Sequence, residues 1–162
     1  MEIRVLKIIL VVFVALQAFL YATQNIVNLD AAYQAVAYVT GNTGHEVYPA
    51  SMGPALGHPA LVWTALILIL TGEYAVAVLA GKGAWDLWRA RRGPPDEFYR
   101  ARKFAVLGCG MALIVWFGLF SVIGGAYFQM WQTEVGTNSL QGAFWYLMNS
   151  GLVLLFVNMR DE

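Results

Sequence analysis

The sequence predicts an all-α membrane protein: a four-helix transmembrane bundle with both termini cytoplasmic and a long first outer loop that carries a short interfacial helix. Three observations predict it. First, 59% of the 162 residues are hydrophobic and only 12% are charged, about half the ~25% charged fraction of a soluble domain. Second, the apolar residues fall into four runs. At ~1.5 Å per helical residue each is long enough to cross, or nearly cross, a hydrocarbon core of ~30 Å. Third, all ten Lys and Arg fall in three segments that four crossings bring to one side. The other side holds Asp30, Glu46 and Glu134, so the positive-inside rule makes the basic side cytoplasmic. The length suits one membrane domain over residues 1–162.

The first span is expected at about residues 5–27, led in by Glu2, Arg4 and Lys7. A basic start followed by an apolar run also describes a signal peptide. The run is long, however, Leu20-Tyr21-Ala22 is a poor small-x-small cleavage site, and three more spans follow, so a retained helix is expected. The first outer loop, residues 28–59, contains AAYQAVAYV, a short helix that Asp30 can cap and Gly41 can end. Its tyrosines Tyr33, Tyr38 and Tyr48 suit headgroup level. The turn-rich remainder reads equally as a lid packed on the bundle or as an interaction surface.

The second span, ALVWTALILILTGEYAVAVLAG (Ala60–Gly81), holds the single carboxylate expected at depth, Glu73. It runs on into the basic cytoplasmic loop, residues 82–103, where Trp85 and Trp88 fit an aromatic belt and Gly93-Pro94-Pro95 breaks the helix. Asp96 and Glu97 suit the start of the next helix. The third span is expected at about 104–129. At ~100° per residue, Ala105, Gly108 and Ala112 share one face of its first half, and Gly118, Ser121 and Gly125 share a nearly opposite face of its second half. Small residues permit close helix approach, so this helix is expected to meet different neighbours at its two ends. Residues 130–139 form the second outer loop, and the fourth span covers about 140–158.

The segment after the third span, GGAYFQMWQTEVGTNSLQGAFWYLMNSGLVLLFVN, is the most distinctive. Together with the four-span layout and the RARK run before the third span, it resembles a bacterial family known as domain of unknown function 2165, described as predicted small integral membrane proteins. The local match is best at Gly124-Gly125, Met130-Trp131-Gln132 and Gly142-Ala143-Phe144. The resemblance departs from the family pattern at VGTNSLQG, where a Trp-Asn-Gly is usual, and in the first loop, where relatives often carry a basic residue. It implies the topology and a bacterial inner-membrane location, and it implies no activity.

Several function classes are poorly served. There is no basic tract for nucleic acid. The lone Cys109 excludes an internal disulfide or a Cys-based zinc site. Two histidines, both expected on the outer side, make a poor haem ligand pair. Gly108-Cys109-Gly110 lacks the third glycine of a dinucleotide turn and lies in a membrane run. No Ser-His-Asp set, HExxH or P-loop is present, so no enzyme activity and no cofactor are expected.

The candidate sites are therefore non-catalytic. Glu73 has no cationic neighbour in its layer. It is expected neutral and hydrogen-bonded, with Asn149, Ser150 and Gln17 as the polar groups at comparable depth. Asn149 is the favoured partner. Trp116, Tyr127, Trp131, Gln132 and Trp145, with flanking phenylalanines, make an outer aromatic or ligand surface whose plain reading is packing and belt. Arg89, Arg91, Arg92, Arg100, Arg102 and Lys103 are expected on anionic headgroups. His45, Glu46 and His58 form a weak candidate metal set.

Three functions fit these residues. The leading one is an accessory or scaffold subunit that packs against another membrane protein or against itself. The second is a transporter or channel-like element using Glu73 as a proton or cation site. The third is a quinone-binding redox anchor. Membrane lipids are partners under all three.

Overall fold

The apolar runs become long helices. The computed structural model describes residues 2–160. In chain order the elements are α1 (Glu2–Val27), α2 (Leu29–Thr40), α3 (Pro59–Ala90), α4 (Pro95–Ala101) and α5 (Lys103–Leu113). A π-helical segment (Ile114–Tyr127) follows directly, then a 3₁₀ turn (Met130–Gln132) and α6 (Glu134–Asn158). No strand occurs among the described residues. Among the described residues, four helical stretches are long and apolar enough to cross a membrane: α1, α3, α4 through the π segment, and α6.

α3 is the central element. It packs along both α1 and α5, while α6 closes against α5, the π segment and α1. The seam is built from small residues. Val11, Ala15 and Ala18 of α1 and Val76, Ala80 and Ala84 of α3 are buried together with Ala105, Cys109 and Ala112 of α5. Gly108 lies so close to α3 that a Cβ there would stand 2.5 Å from the Ala80 nitrogen, and Gly83 meets the Ala105 backbone in the same way. In hydrocarbon there is little hydrophobic gain in burying one apolar helix on another. Close packing supplies the attraction instead, and small residues permit it.

One end of the bundle gathers the start of α1 and the end of α6. The Arg4 guanidinium donates to the carbonyls of Arg91 (3.1 Å) and Gly93 (2.8 Å). The Lys7 ammonium, only 2% exposed, donates to the Met159 carbonyl at 2.5 Å. Arg102 Nε donates to Asn158 Oδ1 at 3.1 Å. The start of α1, the α3–α4 turn and the end of α6 are thereby tied together.

The opposite end carries the two longer connections, and the first is tied down. The Tyr48 amide donates to Gln132 Oε1 (2.7 Å), and Gln132 Nε2 donates back to the Tyr48 carbonyl (3.2 Å). Tyr48 also meets Trp131 edge to face. Gly53 sits against the Tyr127 hydroxyl, where a side chain would collide with the ring. These contacts favour the lid reading of that loop.

Element ends differ from expectation in three places. α3 continues past the expected span limit at Gly81 to Ala90, three residues short of the break expected at Gly93-Pro94-Pro95. α6 begins at Glu134, because the Thr133 hydroxyl caps it by accepting from the Gly136 amide at 3.1 Å. α2 starts at Leu29, which puts Asp30 inside its first turn and not at the cap.

The π segment is the larger surprise, because i→i+5 hydrogen bonding is rare and has no compositional signature. It changes which residues face inward. Gly124 and Gly125 are buried, against Met130 and Leu140, whereas a Cβ at Gly118 would meet nothing within 4 Å. The expected outer face of Gly118, Ser121 and Gly125 is corrected accordingly: a 100° projection fails where the turn is wider.

Candidate functional site

Glu73 lies on α3 with 3% of its surface exposed. Its Oε2 accepts from Asn25 Nδ2 of α1 at 3.4 Å. Two residues before Asn25 on α1, the Thr23 hydroxyl pairs with the Tyr74 hydroxyl at 3.3 Å, with Thr23 also donating to the Phe19 carbonyl. Tyr146 of α6 comes within electrostatic reach of Glu73 and pairs with Tyr21. Its ring packs on Tyr21 at 4.6 Å and on Trp116 at 5.3 Å between centroids. The neighbourhood of the carboxyl is thus amide and phenol from α1 and α6, with no Lys or Arg bonded to it among the described residues.

The expected partnership of Glu73 with Asn149 does not form. Asn149 is exposed on the outside of α6, while the next residue, Ser150, is turned inward and fully buried. Gln17 is half-buried but eight residues before Asn25, ~12 Å lower along α1. The cause is the length of α3. Because the helix runs nine residues past Gly81 to Ala90, Glu73 stands ~13 Å farther from the terminal end than a helix stopping at Gly81 would place it. That puts it level with Asn25. Thr23-Gln24-Asn25 was the available signal, a polar run closing an otherwise apolar helix.

Beside this group, in the loop-bearing half, is a cavity of about 320 Å³. α1, α2, α3, the π segment, the 3₁₀ turn and α6 all contribute to its wall, and Asn25 lies both in that wall and against Glu73.

The remaining expected sites separate. Trp116 is 1% exposed and belongs to the core, so it is no part of an outer surface. Trp131 and Trp145 are exposed, Tyr127 supports the loop at Gly53, and Gln132 clamps Tyr48. Of the basic residues, Arg91 is stacked on Trp88 and Arg102 on Tyr99, each also bonded within the protein. Arg89, Arg92, Arg100 and Lys103 are exposed. His58 caps α3, its Nδ1 accepting from the Ala60 amide at 3.3 Å. No group of three His, Cys, Asp or Glu able to hold a metal comes together among the described residues, so His45, Glu46 and His58 do not form one.

A family model described as predicted small integral membrane protein, domain of unknown function 2165, matches residues 3–160. The chain belongs to this family. The match takes in all four candidate spans, the Glu73–Asn25 pair and the cavity wall, so the resemblance carried by Met130-Trp131-Gln132 extends over nearly the whole chain. Comparison with curated proteins and with solved structures finds no match. In structural terms that tripeptide is a fastening. Met130 is buried under Gly124 and Gly136, Trp131 receives Tyr48, and Gln132 holds the loop backbone.

Proposed function

We propose that this integral membrane protein is an accessory or scaffold subunit of a membrane complex, docked through the outward face of α6. It resides in a bacterial cytoplasmic membrane with both termini cytoplasmic. The observation that carries the reading is Asn149. It sits near the middle of α6, points away from the bundle and has no hydrogen-bond partner among the described residues. A polar amide facing hydrocarbon without a partner is costly. Side-chain amides exchanged between helices relieve that cost and hold membrane helices together. Asn138, Gln141, Trp145, Asn149 and Leu152, spaced three or four apart, form one exposed stripe on α6. Trp145 is 58% exposed at its centre. The segregation of Lys and Arg supports the orientation.

Photo-cross-linking in cells tests the docking. A benzophenone side chain at Leu152 is expected to give a discrete adduct, and one at Phe13, exposed on α1, none. The adduct should vanish in Asn149→Leu. Adduct mass separates a second copy from a different subunit. Equal, diffuse labelling at both positions means that this face looks at lipid, and the reading fails.

A second reading has its own observation. Glu73 is a carboxylate buried within a membrane helix, and such groups mark ion or proton paths in transporters. Under that reading Glu73→Gln folds like the parent yet abolishes transport, because ionisation itself is needed. Under the accessory reading Gln replaces Glu without functional loss.

A further inference from the structure

Granted docking at α6, the outward residues of that helix constrain the partner. Asn138, Gly142, Trp145, Asn149, Leu152 and Phe156 recur at alternating intervals of four and three, and none of them is buried. This is the 3.5-residue spacing at which two supercoiled helices keep one seam in contact. The inward face of α6 keeps the same period: Gly136, Ala143, Ser150 and Val157 stand seven apart, and all four are buried. A seven-residue repeat therefore already runs straight along this helix inside the bundle, and the outward seam stays in line with it.

The seam carries one polar group at depth. Asn149 stands nine residues, ~13 Å, from the end of α6 at Asn158, between the exposed Trp145 and Leu152. An amide both donates and accepts, so two asparagines facing each other across a two-fold axis satisfy one another. Identical chains insert with the same orientation, so two α6 helices run parallel and each residue meets its own counterpart at its own depth. A second copy thus brings an amide to the level of Asn149 by symmetry alone, whereas an unrelated apolar helix brings none. A single asparagine in an apolar seam is also what fixes register and strand number in coiled coils. Self-pairing sets like against like, which is unfavourable for charge, but α6 has no Asp, Glu, Lys or Arg between Glu134 and Arg160. Gly142 supplies room beside Trp145: a Cβ there would come no closer than 3.7 Å to any neighbour, the Tyr146 hydroxyl.

Resting on docking at α6, we propose that the occupant of this face is a second copy of the chain. The two α6 helices lie parallel about a two-fold axis along the bilayer normal, and each Asn149 amide is bonded to the Asn149 amide of the other copy.

Disulfide trapping in cell membranes tests the pairing. Single cysteines are placed in the full-length chain, whose own Cys109 is fully buried and serves as background. Trp145→Cys and Leu152→Cys, on the seam, should each oxidise to a species of twice the chain mass. Phe144→Cys and Leu155→Cys, comparably exposed but off the seam, should not. In liposomes, energy transfer between copies fused to donor and acceptor fluorophores reports the dimer as the protein-to-lipid ratio is varied. Asn149→Leu should raise the ratio at half-dimerisation about tenfold, and Asn149→Gln, which keeps the amide, should stay within about twofold of the parent. Asn149 is exposed on the outside of the bundle, so neither variant alters the packing of the single chain. Equal disulfide yield on and off the seam overturns the proposal, as does a dimer indifferent to Asn149→Leu. Absence of a disulfide dimer together with a benzophenone adduct from Leu152 to a different protein overturns the second copy and leaves docking at α6 standing. Absence of both dimer and adduct removes the two readings together.

Discussion

Glu73 and Asn25 show what a single contact does in this bundle. The carboxyl on α3 accepts from the amide on α1, and the pair joins the central helix to its first neighbour where phenols from α1 and α6 crowd the same space. Interhelical bonds of this kind are worth about 0.6 kcal/mol on average and up to about 1.7. A double-mutant cycle on Glu73→Ala and Asn25→Ala should return a coupling in that range, measured as unfolding free energy in detergent. The cycle of Glu73→Ala with Asn149→Ala should return a coupling indistinguishable from zero. A large coupling to Asn149 would place the amide inside the bundle and remove the basis for docking at α6. Glu73 was legible in the sequence as the one carboxylate in an apolar run. Its partner was not, because level along the membrane depends on where α3 ends.

At the scale of elements, the third span contains two kinds of helix with two rules of facing. In α5 the ordinary period holds, and Ala105, Gly108 and Ala112 form one buried face as the sequence spacing requires. In the π segment the period is longer, and the Ser121 hydroxyl reaches the Trp116 carbonyl five residues back at 3.3 Å. Gly108→Leu should therefore lower stability by about 1–3 kcal/mol through overpacking against α3. Gly118→Leu should melt like the parent, since its Cβ would meet nothing. Thermal unfolding of the two variants side by side checks this, and a destabilised Gly118→Leu would mean that the π phase is wrong. The loop makes a second case. Gln132→Leu removes both bonds to Tyr48. Hydrogen exchange at the Tyr48 amide should then quicken about five- to tenfold, reporting a loop released from the 3₁₀ turn.

For the whole molecule, the two ends are built differently. The terminal end is knitted by cationic side chains on main-chain carbonyls, with Arg4 on the α3–α4 turn and Lys7 on the end of α6. Charge-assisted bonds of this kind contribute about 1.5–3 kcal/mol. Arg4→Leu should cost about 2 kcal/mol in detergent unfolding, with the largest gain in hydrogen exchange around Gly93. Orientation is a separate question, settled by reporter fusions. Alkaline phosphatase joined after Gly44 or Thr137 should be active, and after Gly93 inactive, because Lys and Arg are confined to the terminal side. Activity at Gly93 would reverse the proposed orientation.

By itself the sequence determined the membrane class, the number of long helices, the small-residue seam of α5 and the identity of the buried carboxylate. Each of these rests on a local property: an apolar run, a spacing of three and four, a lone charge where charge is costly. Tertiary structure decided the rest. It set Glu73 beside Asn25, turned Asn149 outward, and drew Trp116 into the core. It also opened a cavity where six elements fail to fill the space between them. These outcomes depend on the relative heights of separate helices and on a π-helical phase. Neither is encoded in any single stretch of residues, because both are set by how the stretches pack against one another.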